Sequence, residues 1–222
     1  MRINRFVATA SGMSRRQADA AIEAGRVSID GSVATPGDTI SESQTVTIDT
    51  KVLSLPSAQT IILHKPVGYI CSRAQQGSSP TIYELLPSSF YQLKPVGRLD
   101  KDSSGLLLLT NDGKLAHRLA HPSNHKWKVY QVTTTPALTP SQLQALRQGV
   151  MLDDGPSQME IEEHHNGYTI RLQEGRNRQI RRSIEAVGSK VATLHRTQFG
   201  EFKLGGLKPG DWRELRAEEL TD

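Results

Sequence analysis

A single cysteine, Cys71, stands in a chain of 222 residues. That excludes an internal disulfide framework and a cysteine-rich zinc site, and it suits a reducing cytosol. There is also no run of about 18 apolar residues of the kind that spans a bilayer. The N-terminus lacks the continuous apolar stretch of a secretory signal. A soluble cytoplasmic protein without membrane attachment is therefore expected. The histidines offer no metal-binding pattern: His121 and His125 lie four apart around Pro122 without a third ligand, and His164-His165 precede an Asn166-Gly167 turn. No metal is expected. Missing too is a regular βαβ repeat, which argues against a doubly wound parallel sheet.

Hydrophobic residues make up 36% of the chain and charged residues 23%, as in a folded protein. The formal charge of +4 and pI near 9.3 make an anionic partner plausible. Basic residues concentrate late. Between Arg171 and Arg196 lie seven of them (Arg171, Arg176, Arg178, Arg181, Arg182, Lys190, Arg196) against Glu174 and Glu185.

Ile3, Phe6, Val7 and Ala10 recur at helical spacing and stop at Gly12. Ser14 and Gln17 form a capping box for a second helix ending at Gly25. Val27–Ile29 and Ser32–Ala34 flank Asp30-Gly31, the signature of a type I′ hairpin. Thr45–Ile48 makes a third strand. Residues 1–50 thus read as a small helix-helix-sheet module and 51–58 as a linker. Arg2, Arg5, Arg15 and Arg16 fall on or beside its helices. They suit phosphates, although spacing alone fits a solvated surface equally.

Residues 59–222 read as a second domain. Thr60–Leu63 is a strand ended by Lys65-Pro66-Val67-Gly68, and a short helix lies near Ile82–Leu86. Val129–Thr133 alternates as a half-buried strand does. Thr139-Pro140-Ser141-Gln142 caps a helix, and Asn166-Gly167 joins two strands. Around 180, Ile180, Ile184 and Val187 share one helix face while Arg178, Arg181 and Arg182 share another. The expected class is α+β, with a largely antiparallel sheet.

One stretch concentrates chemistry. Gly97-Arg98-Leu99-Asp100-Lys101-Asp102-Ser103-Ser104-Gly105 runs directly into Leu106–Leu109, a core strand that ends at Asn111-Asp112-Gly113. The strand holds the turn in place, and flanking cations favour an ionised Asp100, fit for a nucleophile or base rather than an acid. By itself the segment more readily fits an Asx or serine turn with Asp100 as solvated decoration. Tyr130, near Lys126 and Lys128, offers a stacking face to an unpaired base. The arginine-bearing helix offers forks for phosphate. Together they suit an RNA site that holds an extruded base against a carboxylate.

Residues 97–113 resemble the catalytic motif of RNA pseudouridine synthases of the RsuA family. Lys65-Pro66-Val67-Gly68-Tyr69 resembles that family's first motif, Lys128-Val129-Tyr130 its Lys-x-Tyr element, and Glu174–Arg182 its third. Leu194-His195-Arg196 and Gly210-Asp211-Trp212-Arg213 resemble late elements. Residues 2–48 resemble the small RNA-binding domain that many members carry in front.

The resemblance implies isomerisation of a uridine in ribosomal RNA, by base flipping, without metal or organic cofactor and by a monomer. It implies Asp100 as nucleophile, Tyr130 as the stacking residue that helps remove a proton, Arg181 as the partner of the aspartate, and Leu194 as pocket packing. Arg98, Lys101, Lys128, Arg176, Arg178 and Arg182 would bind RNA or order the loop, with Arg2, Arg5, Arg15 and Arg16 in front. Val150–Pro156 is closer to enzymes of the large subunit than of the small. Two other readings are a non-catalytic RNA-binding assembly factor and a sugar hydrolase using Asp100 with Asp102. The hydrolase leaves the arginine helix and the N-terminal module without a role.

Overall fold

The computed structural model describes residues 1–74 and 76–220, so the last two residues of the expected second domain lie outside the described residues. The chain divides into two units, 1–58 and 59–222. In the first, α1 (Ile3–Ser11) and α2 (Arg15–Glu23) cover a sheet of β1 (Val27–Ile29), β2 (Ser32–Val33), β3 (Val46–Ile48) and β4 (Lys51–Leu53) in the order β2-β1-β3-β4. Ile3, Val7, Ala18, Ile22, Val27 and Val46 form its core. The Ser14–Gln17 capping box is present in both directions. Asp30 and Gly31 take φ of 49° and 85°, as a type I′ turn needs. One expectation fails: Lys51–Leu53, read as part of a linker, pairs with β3. Two residues at positive φ, Asp49 and Thr50, make the tight turn that the sequence does not announce.

The second unit contains β5 (Thr60–Lys65), β6 (Lys94–Pro95), β7 (Ser104–Thr110), α3 (Gly113–Ala120), β8 (Lys128–Thr135), α4 (Pro140–Gln148), β9 (Val150–Leu152), β10 (Gly155–Ser157), β11 (Glu160–His164), β12 (Gly167–Leu172), α5 (Gln179–Ala186), β13 (Lys190–Phe199), β14 (Phe202–Lys203), β15 (Trp212–Glu214) and α6 (Ala217–Leu220). Its main sheet runs β11-β12-β8-β13-β7-β5-β15, with β14 on β13 and β6 on β7. The β13–β7 pair is parallel and the other pairs are antiparallel. The α+β class is thus as expected.

Both faces of β7 are covered, which is why Leu106–Leu109 reads as an unbroken apolar run. Leu107 and Leu109 join Ile61, Leu63, Ile82 and Phe90 on one side. Leu106 and Leu108 join Ile62, Leu115 and Phe199 on the other. All four leucines are fully buried. The turn that precedes β7 is therefore attached to a strand buried on both faces.

Gly105 makes the parallel β7–β13 pair possible. It stands opposite Arg196 at φ +107°, and a Cβ there would overlap the Arg196 backbone carbonyl. This contact brings the Asp100 turn beside β13.

Candidate active site

The turn from Gly97 to Ser103 is fastened at many points. Leu99 is buried, and its backbone meets Cys71 Sγ through both N–H and C=O, at 3.5 and 3.3 Å. Gly68 N–H donates to Lys101 O at 2.7 Å. From below, Lys65 at the end of β5 is fully buried. Its Nζ donates to the carbonyls of Pro66, Asp100 and Ser103 at 3.1, 2.9 and 2.7 Å. Burial pushes its ammonium down to about 8, against the opposing pull of Cys71, Asp100 and Asp102. Three carbonyls stand in for the water that this ammonium lost.

From the side, α5 and the residue before it supply arginines. Arg178, in the left-handed region at φ 48°, sets both guanidinium nitrogens on Asp102 at 3.0 and 2.9 Å. The same guanidinium reaches Asp100 Oδ2 at 3.5 Å. Arg181 donates to Asp102 O at 2.8 Å and to Ser103 Oγ at 3.3 Å. Its ion pair, at 3.3 Å, is with Asp102. The expected Arg181–Asp100 pair is thus corrected: Arg178 reaches Asp100, and Arg181 braces the turn. Two acids two residues apart face the same arginines, so spacing alone does not decide the partner. The Arg178 hydrogen bonds hold the Asp102 carboxyl below its ordinary range. Asp102 thus ties the turn to α5.

Asp100 opens onto a cleft of about 320 Å³. Leu99, Leu172, Ile180, Leu194, Phe199 and the ring of Tyr130 supply its apolar wall. Tyr130 on β8 stands opposite Ile170 on β12 and Arg196 on β13 in the sheet register, so the three share a face. After a bulge between Arg196 and Gln198, Phe199 stands opposite Lys128 and lines the cleft while packing with Leu106, Leu108 and Leu115. Lys128 Nζ and the Arg196 guanidinium then lie 5.2 and 5.1 Å from the centre of the Phe199 ring. Burial lowers the Lys128 ammonium, and Arg196 lowers it further. This cleft joins a carboxylate, an aromatic face and an apolar wall, the parts needed to hold a flat base beside a nucleophile.

The remaining expected residues divide by surroundings. Arg98, Lys128, Arg176 and Arg178 line the cleft with Asp100, Tyr130 and Leu194. Lys101 is exposed and donates to Ser79 Oγ at 2.8 Å. Arg176 and Arg182 are engaged by Asp154, in the β9–β10 turn, at 2.8 and 2.7 Å. That turn, read in the sequence only as a family feature, fastens the start of α5. Arg2, Arg5, Arg15 and Arg16 are exposed on the first unit. Sequence reasoning assigned no role to Lys65 or Arg196. Each follows a buried strand leucine by two residues, Leu63 or Leu194, but the residue two places on is exposed or half-buried, so the pattern does not mark them as buried.

Comparison with known proteins now decides the family. The model described as RNA pseudouridylate synthase matches residues 59–186, and the S4 domain model matches residues 1–46. The chain belongs to the RNA pseudouridylate synthase family. It is 36% identical over 229 residues to a Yersinia pestis protein named ribosomal large subunit pseudouridine synthase B, covering 96% of this chain and 72% of the relative. The Salmonella typhi protein of the same name is 37% identical, with 96% and 79% covered. A crystal structure of a pseudouridylate synthase, 32% identical, superposes with a TM-score of 0.71 over 99% of this chain and 98% of the other. The synthase is thus an enzyme with an S4 domain in front, as the motifs led one to expect. Among the described residues no helix is long and apolar enough to cross a membrane, and no cluster of His, Cys, Asp or Glu suits a metal ion.

Proposed function

We propose that this pseudouridine synthase converts one uridine of large-subunit ribosomal RNA to pseudouridine, acting as a cytoplasmic monomer. The large subunit is favoured by the names of its relatives. The observation that carries the catalytic reading is Asp100, held in a fastened turn at the mouth of a cleft whose wall is Tyr130 and apolar side chains.

In this reading the target base leaves its helix or loop and stacks on Tyr130. Extrusion costs a few kcal/mol and stacking returns about 1–3 kcal/mol, so an already unpaired loop is the easiest substrate. The Asp100 carboxylate attacks C1′ of the ribose as the C1′–N1 bond breaks, and the bonding pair departs with the uracil. The base turns and C5 attacks C1′, displacing the carboxylate. Tyr130 helps remove the C5 proton, and N1 gains one. Atoms and electrons balance within the nucleotide and solvent protons. Arg178 and Arg181 brace the Asp100 turn from the side, and Leu194 packs the base. Arg98, Lys101, Lys128, Arg176 and Arg182 serve the RNA or its loop. Arg2, Arg5, Arg15 and Arg16, exposed on the S4 unit, take phosphates of the RNA.

The test uses unmodified transcripts of both ribosomal RNAs and mapping of pseudouridine. A single new pseudouridine in the large-subunit transcript is expected. Asp100→Asn should lower the rate at least about 10⁴-fold while still binding RNA, since removing a nucleophile leaves only binding and electrostatics. Modification of the small-subunit transcript alone would overturn the substrate, and an active Asp100→Asn would overturn the mechanism.

A further inference from the structure

One cation at the floor of the cleft has no role in the steps above. Arg196 is 2% exposed and lines the cleft beside Tyr130. Its Nε donates to Leu106 O at 2.9 Å. Its Nη2 is buried and meets no hydrogen-bond acceptor among the described residues. The buried Nε of Arg176 and of Arg181 also lacks a hydrogen bond, but these neighbours each have a carboxylate partner, Arg178 and Arg181 pairing with Asp102 and Arg176 and Arg182 with Asp154, whereas no carboxylate pairs with Arg196 among the described residues. A buried charged donor left unpaired is among the costlier features a fold can keep. Its retention in a cleft wall points to an acceptor brought by the ligand.

We propose that Arg196 Nη2 donates to a carbonyl oxygen of the flipped uracil and holds the negative charge that the base acquires as its bond to C1′ breaks. The proposal rests on the isomerase reading. A base fits this position better than a phosphate for two reasons. Apart from Lys128, whose ammonium already donates to Gln173 O at 3.1 Å, the wall around Arg196 is apolar, with Leu172, Leu194 and Phe199, while the exposed arginines suited to phosphate, Arg98 and Arg178, stand with Asp100. In addition, Arg196 is directly opposite Tyr130 in the β8–β13 register, so a ring stacked on Tyr130 has the guanidinium as its cross-strand neighbour.

The charge accounting agrees. The pair leaving C1′–N1 enters the uracil ring and spreads onto O2 and O4, so a donor fixed at either oxygen meets charge that grows toward the transition state. Attack of C5 on C1′ later withdraws that charge. The guanidinium neither gains nor loses a proton, as its chemistry requires.

The experiment compares RNA carrying oxygen with RNA carrying sulfur, a weaker acceptor, at position 2 or position 4 of the target uridine. Single-turnover rate and RNA affinity are measured for the wild type and Arg196→Lys, with thermal melting of both proteins. Arg196→Lys should slow conversion about a hundredfold, the usual effect of losing one preorganised donor. Its affinity for RNA should change less than about threefold, because phosphate contacts dominate affinity. Sulfur at one of the two positions should slow the wild type about tenfold and add little to the loss in the variant. Equal sulfur effects in both proteins would overturn the proposal, since a merely structural arginine predicts them. So would a wild type indifferent to sulfur at both positions, a result that stands even if the variant does not fold. A protein that converts oxygen-bearing RNA but ignores sulfur keeps the isomerase reading and loses this one. A wild type that converts no oxygen-bearing RNA overturns the isomerase reading itself, and the two failures are thereby told apart.

Discussion

At the rim of the cleft, Arg178 and Arg182 face Asp102 and Asp154 at 2.9 and 2.7 Å, both acids more than 40% exposed, while the mostly buried Arg181 meets Asp102 at 3.3 Å. At the floor, Lys65 and Arg196 are buried and reach backbone carbonyls. Charge is treated oppositely in the two places. Exposed pairs gain little because water competes with each partner and salt screens both. A buried cation must have its lost hydration replaced by fixed dipoles, so each of its contacts matters more. It follows that Asp100 is positioned mainly from beneath, by Lys65 and the β7–β13 pair, and that its visible arginine neighbours are secondary.

The most severe way to break this contrast is at Gly105. Gly105→Ala would set a methyl group into the Arg196 carbonyl and demand φ +107° of an alanine. Both strands lie in the core and neither backbone can yield cheaply. The expected loss is more than about 4 kcal/mol in urea denaturation, or failure to fold. A variant within about 1 kcal/mol of wild type would mean that the parallel pair does not fix the floor.

The rim was far more legible in the sequence than the floor. Four consecutive leucines announced β7, Ser14–Gln17 and Thr139–Gln142 announced two helix starts, and the Asp100 turn and Tyr130 stood in recognisable motifs. Arginines on one face of α5 were visible from helical periodicity alone. Lys65, by contrast, looks like the polar end of a strand, because nothing local tells a cation that leaves the core from one that enters it. Arg196 depends on a contact with Gly105 across 91 positions and on a bulge at its own strand, and neither has a local signature. The same holds for β4, where a linker composition hides a strand completed only by β3.

Lys65→Met is the next largest perturbation and reports on the floor directly. Removing the ammonium leaves carbonyls of Pro66, Asp100 and Ser103 without their donor, an expected cost of about 3 kcal/mol at pH 7. The pH dependence carries the sharper signature. A lysine held down to about 8 in the folded protein loses its proton there before the unfolded chain does. The unfolded state then binds more protons, so wild-type stability gains as pH rises above 8. Relative to Lys65→Met, the gain between pH 8 and 9.5 should be about 2 kcal/mol. A difference that stays flat across this window would show that the ammonium is solvated, and the floor would lose its distinction from the rim.

Asp102→Ala is the corresponding change at the rim and should be the mildest. It removes the carboxylate shared by Arg178 and Arg181, yet Arg181 keeps its bonds to the backbone carbonyl of residue 102 and to Ser103 Oγ. With Asp102 about half exposed, the expected cost is about 0.5–1 kcal/mol at low ionic strength, shrinking in 1 M salt where the screening length falls to about 3 Å. Because Arg178 holds the Asp102 carboxyl below its ordinary range, its contribution is present above that range and is lost as pH falls through the lowered value. Wild type and variant should therefore converge in acid as well as in salt. A salt-independent loss of about 3 kcal/mol or more would mean that the α5 arginines, and not the buried lysine beneath, hold the Asp100 turn in place.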